Sequence, residues 1–143
     1  MHPAYFKTNF AVADPSAEWP DEFAIITACA TTGEQWPEEM NKLADVCLEK
    51  QLRSNGGLIR RITGYSPETG HAEPGWAVEM TWQDACDLGS KYLQDAIYFI
   101  SGDELCVSFC DSRRALMPVG TFRERLTKTI MRGEVEKMAG SNS

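Results

Sequence analysis

The stretch Phe23-Ala24-Ile25-Ile26-Thr27-Ala28-Cys29-Ala30-Thr31-Thr32-Gly33 most constrains this chain, because an apolar run there stops at small polar residues and a glycine shortly before a helical pattern. It reads as a buried strand delivering a loop to a helix. A βα junction of this kind presents backbone N–H groups and hydroxyls at a helix start, where ligands are often held. The junction is therefore a candidate ligand site, with Thr27, Thr31 and Thr32 as its donors.

The rest of the pattern is organised around that strand. Tyr5, Phe6, Phe10 and Trp19 precede it as anchoring aromatics, and Pro20 breaks the chain before the strand at Phe23 to Ala28. A helix follows Pro37, which suits an opening turn, and Met40, Leu43, Ala44, Cys47 and Leu48 repeat at the spacing of one apolar face until Asn55-Gly56-Gly57. Leu58 to Tyr65 and Trp76 to Met80 read as strands joined by a turn-rich loop over 66–75. Thr81 with Asp84 forms a variant capping box for a second helix. Ala96 to Ile100 and Leu105 to Phe109 form a hairpin around Ser101-Gly102-Asp103-Glu104, and Thr121 with Glu124 repeats the capping pattern ahead of a C-terminal helix over about 121–139.

This order predicts an α+β fold, a split β-α-β or ferredoxin-like arrangement. One mixed or antiparallel sheet carries helices on one face, with an extra C-terminal hairpin strand and helix. An open three-layer α/β arrangement is the alternative, and it would need the second and third strands to be parallel. A chain of 143 residues suits a single domain, with a core over about 5–126 and a short polar tail at 140–143.

Charge and cysteine content narrow the function classes. The formal net charge is −7. From Asp14 to Glu49 nine acids face the single base Lys42, whereas bases outnumber acids from Arg113 to Lys137. An acidic face disfavours phosphate backbones, so direct nucleic-acid binding is not expected. The N-terminus lacks a positively charged region followed by an apolar stretch, and no apolar run nears the roughly 20 residues that span a bilayer. Cys29, Cys47, Cys86, Cys106 and Cys110 are odd in number and form no Cys-x-x-Cys pair. They read as reduced core residues of a cytoplasmic protein, with Cys47 and Cys86 shielded from reagents.

Candidate chemistry is sparse. His71 is the one histidine placed to act as a base, between Glu68 and Glu73, and Cys29 at a strand end reads as packing rather than as a nucleophile. No catalytic residue, metal site or cofactor is assigned. Two function classes follow. In the first, a protein-binding or regulatory module docks on another protein through Glu34, Trp36, Glu38, Asp45 and Glu49, of which Glu38, Asp45 and Glu49 recur at helical spacing; a variant of this class is an acidic nucleic-acid mimic that inhibits a host defence complex. In the second, Thr27, Thr31, Thr32, Tyr65, His71 and Glu73 hold a small molecule or carry a minor enzymatic activity.

The segments Phe23 to Ala28, Gly33, Asn41, Leu48, Gly64-Tyr65-Ser66-Pro67, Glu73-Pro74, Ala85, Asp95 to Phe99, Gly102 to Leu105, Cys110 and Gly120 to Arg125 together resemble a bacterial domain of unknown function, the family numbered 3293. The resemblance runs from Tyr5 to about Leu126. It implies no reaction, cofactor or catalytic residue. Two positions depart from the family's pattern: Ala30-Thr31 stands where Asn-Pro is common, and Asp45 where a second asparagine is common on the helix.

Overall fold

The computed structural model describes residues 3–28 and 37–129. A 3-10 turn, Pro3–Phe6, leads into β1 (Asn9–Val12), followed by β2 (Glu22–Thr27), α1 (Glu38–Arg53), β3 (Ile59–Tyr65), β4 (Ala72–Val78) and α2 (Trp82–Lys91). Then come β5 (Ala96–Ser101), β6 (Glu104–Phe109), β7 (Met117–Thr121), a 3-10 turn at Arg123–Arg125 and β8 (Leu126–Lys128). Among the described residues these strands form one eight-stranded sheet in the order β7-β6-β5-β2-β4-β3-β1-β8. Neighbours run antiparallel except β1 and β8, which are parallel.

That order forces the sheet to curl. Its two edge strands, β7 and β8, are joined by only Phe122 to Arg125. A flat eight-stranded sheet would hold its edges about 34 Å apart, and so short a connection reaches at most about 18 Å. The curl is visible inside the sheet as well. Phe10 on β1 and Tyr98 on β5 have three strands between them, yet their ring centroids are 5.1 Å apart. A bulge on β7, where Val119 is extra opposite the Leu105–Cys106 step of β6, sharpens the bend. Gly120 on β7, at φ 146, leaves room for the Arg125 guanidinium, which a β-carbon would approach to 3.1 Å. Arg125 then donates to the Phe6, Thr8 and Val119 carbonyls and ties the two edges together.

The ferredoxin-like, split β-α-β expectation is therefore overturned: the protein is a half-barrel of eight strands with two helices among the described residues. The three-layer alternative also fails, since β3 and β4 pair antiparallel from Ile59↔Val78 to Tyr65↔Ala72. The difference lies in three short strands, β1, β7 and β8. β1 lies in the segment read only as an anchor, and the Thr121 to Lys128 stretch read as a helix start is the end of β7, one 3-10 turn and β8. Thr121 with Glu124 does match a capping pattern, but Thr121 pairs across the sheet with Glu104 and Leu126 pairs with Phe10. Long-range strand pairing overrides the local signal there. The same pattern at Thr81 is a genuine cap, its hydroxyl accepting the Asp84 N–H at 3.2 Å. The remainder of the expected C-terminal helix, from residue 130, lies outside the described residues.

The loop over 66–75 is shorter than its composition suggests. β4 begins at Ala72, and the Ser66 N–H closes the hairpin on the His71 carbonyl at 2.9 Å. Pro74 fits the strand because it lies beyond the last residue pair with β2, Thr27↔Gly75.

Alternation along each strand divides the apolar residues between two faces. On one face α1 and α2 cover Ala24, Ile26, Trp76, Val78, Ile97 and Phe99. On the other, concave face Phe10, Phe23, Ile25, Ile62, Tyr98, Leu105 and Phe122 pack with Tyr5 and Trp19, and the curl itself closes the core. α1 sits rotated from the expected face: Leu48 and Leu52 are buried, while Met40 and Leu43 are 53% and 66% exposed and Cys47 is exposed. The cause is Asp45, which accepts two bonds from Arg61 at 2.8 and 2.7 Å and the Trp76 indole N–H at 3.1 Å. These bonds turn the Asp45–Leu48–Leu52 side of the helix toward the sheet. Cys47 is thus open to solvent, whereas Cys86, Cys106 and Cys110 are buried free thiols.

Candidate functional site

A recess of about 70 Å³ opens at one end of the concave face. Its wall is built from strand ends. Ile25 and Thr27 close β2, Ile62 and Gly64 lie on β3, Glu73 starts β4 and Tyr98 lies on β5, all placed on the concave side by alternation. The N-terminal turn supplies the remaining side through Ala4, Tyr5 and Thr8, and Phe10 forms part of the floor.

Each polar group of the recess has a defined role. The Tyr98 hydroxyl donates to the Tyr5 carbonyl at 2.8 Å and so fastens the turn to β5. Burial pushes the Tyr98 phenol well above its ordinary range, with a smaller contribution from the nearby Glu73 charge, so the donor proton is retained. The Thr27 hydroxyl donates to Gln94 Oε1 at 2.9 Å, and Gln94, itself buried, donates to the Tyr92 carbonyl at 3.1 Å. His71 Nε2 lies 3.2 Å from Glu73 Oε1; the Glu73 side chain is 25% exposed and that of His71 67%. The Tyr65 hydroxyl lies 3.0 Å from Thr127 Oγ1, linking the recess rim to β8. Among the described residues the recess thus has an aromatic and aliphatic floor, one carboxylate and one imidazole at its mouth, and no lysine, arginine or cysteine in its lining.

The structure brings Thr27, Tyr65, His71 and Glu73 into this one recess. Thr31 and Thr32 lie outside the described residues. Tyr5, Thr8, Phe10 and Tyr98 were not assigned to the site from sequence. Tyr5 and Phe10 carried only an anchoring signal, and nothing local links β1 to β5, because the curl alone joins them.

Of the residues assigned to partner docking, the described carboxylates all have basic neighbours. Asp45, its side chain 14% exposed, is held by Arg61 and Trp76. Glu49 pairs with Arg53 at 2.8 Å and Glu38 with Lys42 at 3.4 Å. Glu34 and Trp36 lie outside the described residues. Among the described residues no group of three or more His, Cys, Asp or Glu side chains is arranged to hold a metal ion, and no helix is long and apolar enough to cross a membrane.

A half-barrel with one partly polar recess at its mouth defines a small single-sheet protein whose architecture names no activity. The chain belongs to the family described as protein of unknown function, DUF3293, which matches residues 26–97. That segment runs from the end of β2 to the start of β5 and contains Thr27, Tyr65, His71 and Glu73. No curated protein and no solved structure matches the chain.

Proposed function

We propose that this protein is a small-molecule-binding module whose ligand enters the recess between the N-terminal turn and the ends of β2 to β5. The carrying observation is that an apolar pocket floor meets the His71–Glu73 pair at a single mouth. Apolar concavities with a few convergent polar groups are the usual form of ligand sites. The test is a screen of small organic molecules against the isotope-labelled chain, following the Tyr98 and His71 ring resonances. Binders should shift both rings, and Glu73→Gln should weaken them. Binders that map only to other surfaces overturn the reading.

A second reading, docking on another protein, rests on the outward side of α1, where Met40, Leu43 and Val46 are 53%, 66% and 59% exposed. Leu43→Glu should then abolish recovery of a co-purifying protein from the native host, and unchanged recovery excludes α1 as the contact. In the nucleic-acid-mimic variant of this reading, Glu38, Asp45 and Glu49 would have to exchange their present basic partners for those of the complex. A reducing, cytoplasmic setting suits the free thiols Cys47, Cys86, Cys106 and Cys110.

A further inference from the structure

On the reading that the recess binds a small molecule, we infer its chemical class: an organic cation, the head of an alkylated ammonium, seated against Tyr5, Phe10 and Tyr98 with Glu73 as counter-ion. Three features of the recess select this class. The rings meet at an angle rather than in one plane: Tyr98 lies 6.1 Å from Tyr5 at 47° and 5.1 Å from Phe10 at 87°. All three line the recess, and a cation placed over an aromatic face is attracted by the ring quadrupole.

Charge points the same way. Among the described residues Glu73 is the lining's one carboxylate, and its partner His71 carries a charge only when protonated. Arg125, beside the N-terminal turn, spends its donors on the Phe6, Thr8 and Val119 carbonyls, and Lys7 pairs with Glu68 at 3.8 Å. An anion entering the recess would find no lysine or arginine among its described lining residues and would face Glu73. The chain's net charge of −7 adds a long-range attraction for cations. In size, a recess of about 70 Å³ suits a compact head.

Three probes of nearly one shape separate charge from fit: choline, the neutral 3,3-dimethyl-1-butanol and the anionic 3,3-dimethylbutanoate. Each is titrated into the full chain with the Tyr and Phe rings labelled for nuclear magnetic resonance. Choline should produce saturable shifts at Tyr5, Phe10 and Tyr98, with affinity at least about five-fold above the neutral probe. The anion should give no saturable shift. In Glu73→Gln the preference for choline over the neutral probe should shrink toward one while spectra away from the recess stay unchanged. If the neutral or anionic probe binds as well as choline, the cation class is overturned and the recess remains a binding site. If none of the three gives a saturable shift there, both the class and the binding reading fall.

Discussion

The two faces of the sheet solve the same problem of covering apolar strands by different means. One face is roofed by α1 and α2, which pack Ile26, Leu48, Leu52, Val78, Cys86 and Cys110 together with Trp76 and Phe99. The concave face has no helix over it. It is filled by rings, with Phe122 tilted or edge-on to Phe10, Trp19 and Phe23 at 5.9, 5.1 and 5.1 Å, and the sheet bends until these rings meet. The contrast teaches that side-chain volume can replace a layer of helix when the strands are free to curl. It also places the recess, which opens where the ring-filled face runs out of large side chains, next to Gly64.

The largest expected effect tests that division directly. Phe122→Ala removes the ring that joins both edges of the sheet and should cost about 3–5 kcal/mol, whereas Leu52→Ala beneath the half-solvated α1 should cost about 2–3 kcal/mol, both read from urea unfolding. Equal costs would show that the two faces contribute alike to stability. Next in size, a β-carbon on Gly89 of α2 would stand 2.6 Å from Cys110 Sγ and 2.8 Å from Ile97 Cγ2. Gly89→Ala should therefore destabilise by about 1–3 kcal/mol, and adding Cys110→Ala should recover part of the loss. Without recovery, the helix-to-sheet spacing is not set by that contact.

Asp45 sharpens the comparison within the helical face. Asp45→Ala strips Arg61 and Trp76 of their acceptor and should cost about 1–2 kcal/mol, while Asp45→Asn keeps an acceptor for the indole and should cost less. Unchanged unfolding of both variants would show that α1 is positioned by Leu48 and Leu52 alone.

Thiols give the helical face a pH signature. Burial, the larger cause, raises Cys106 to about 11 and Cys110 to about 12 from an ordinary value near 9. In the unfolded chain these thiols ionise first, so their contribution is fully present below pH 9 and is lost as the pH rises toward 11–12. Unfolding midpoints should fall over that window, and Cys110→Ala should flatten the slope. A slope unaffected by that substitution assigns the alkaline loss to other groups. Smallest of all, Glu38→Lys on the exposed surface of α1 should change stability by under about 0.5 kcal/mol, and a larger change would mean that its pairing with Lys42 matters to the fold.

Short-range order was readable from the residues. The strand at Phe23, the helix after Pro37, the Thr81 cap and the Ser101 to Glu104 hairpin each announce themselves through a periodicity, a breaker or a cap that acts within a few residues. The candidate site was legible only in part. Tyr65, His71 and Glu73 stand close together in sequence because a hairpin joins them, and Thr27 comes beside them through the β2–β4 pairing. Tyr5 and Tyr98, 93 residues apart, meet through a hydrogen bond that no local pattern encodes.

The sequence by itself determined which segments are strands or helices wherever propensity and pattern agree over several residues. Tertiary structure decided the rest: the curl, the parallel pairing of β8 with β1, the rotation of α1 about Asp45 and the recess that the N-terminal turn completes. The physical reason is the range over which each energy acts. Capping and periodicity are settled among neighbours along the chain, whereas Phe10 and Phe122 lower their free energy only against rings brought in from distant strands, and that gain outweighs the helix signal at Thr121.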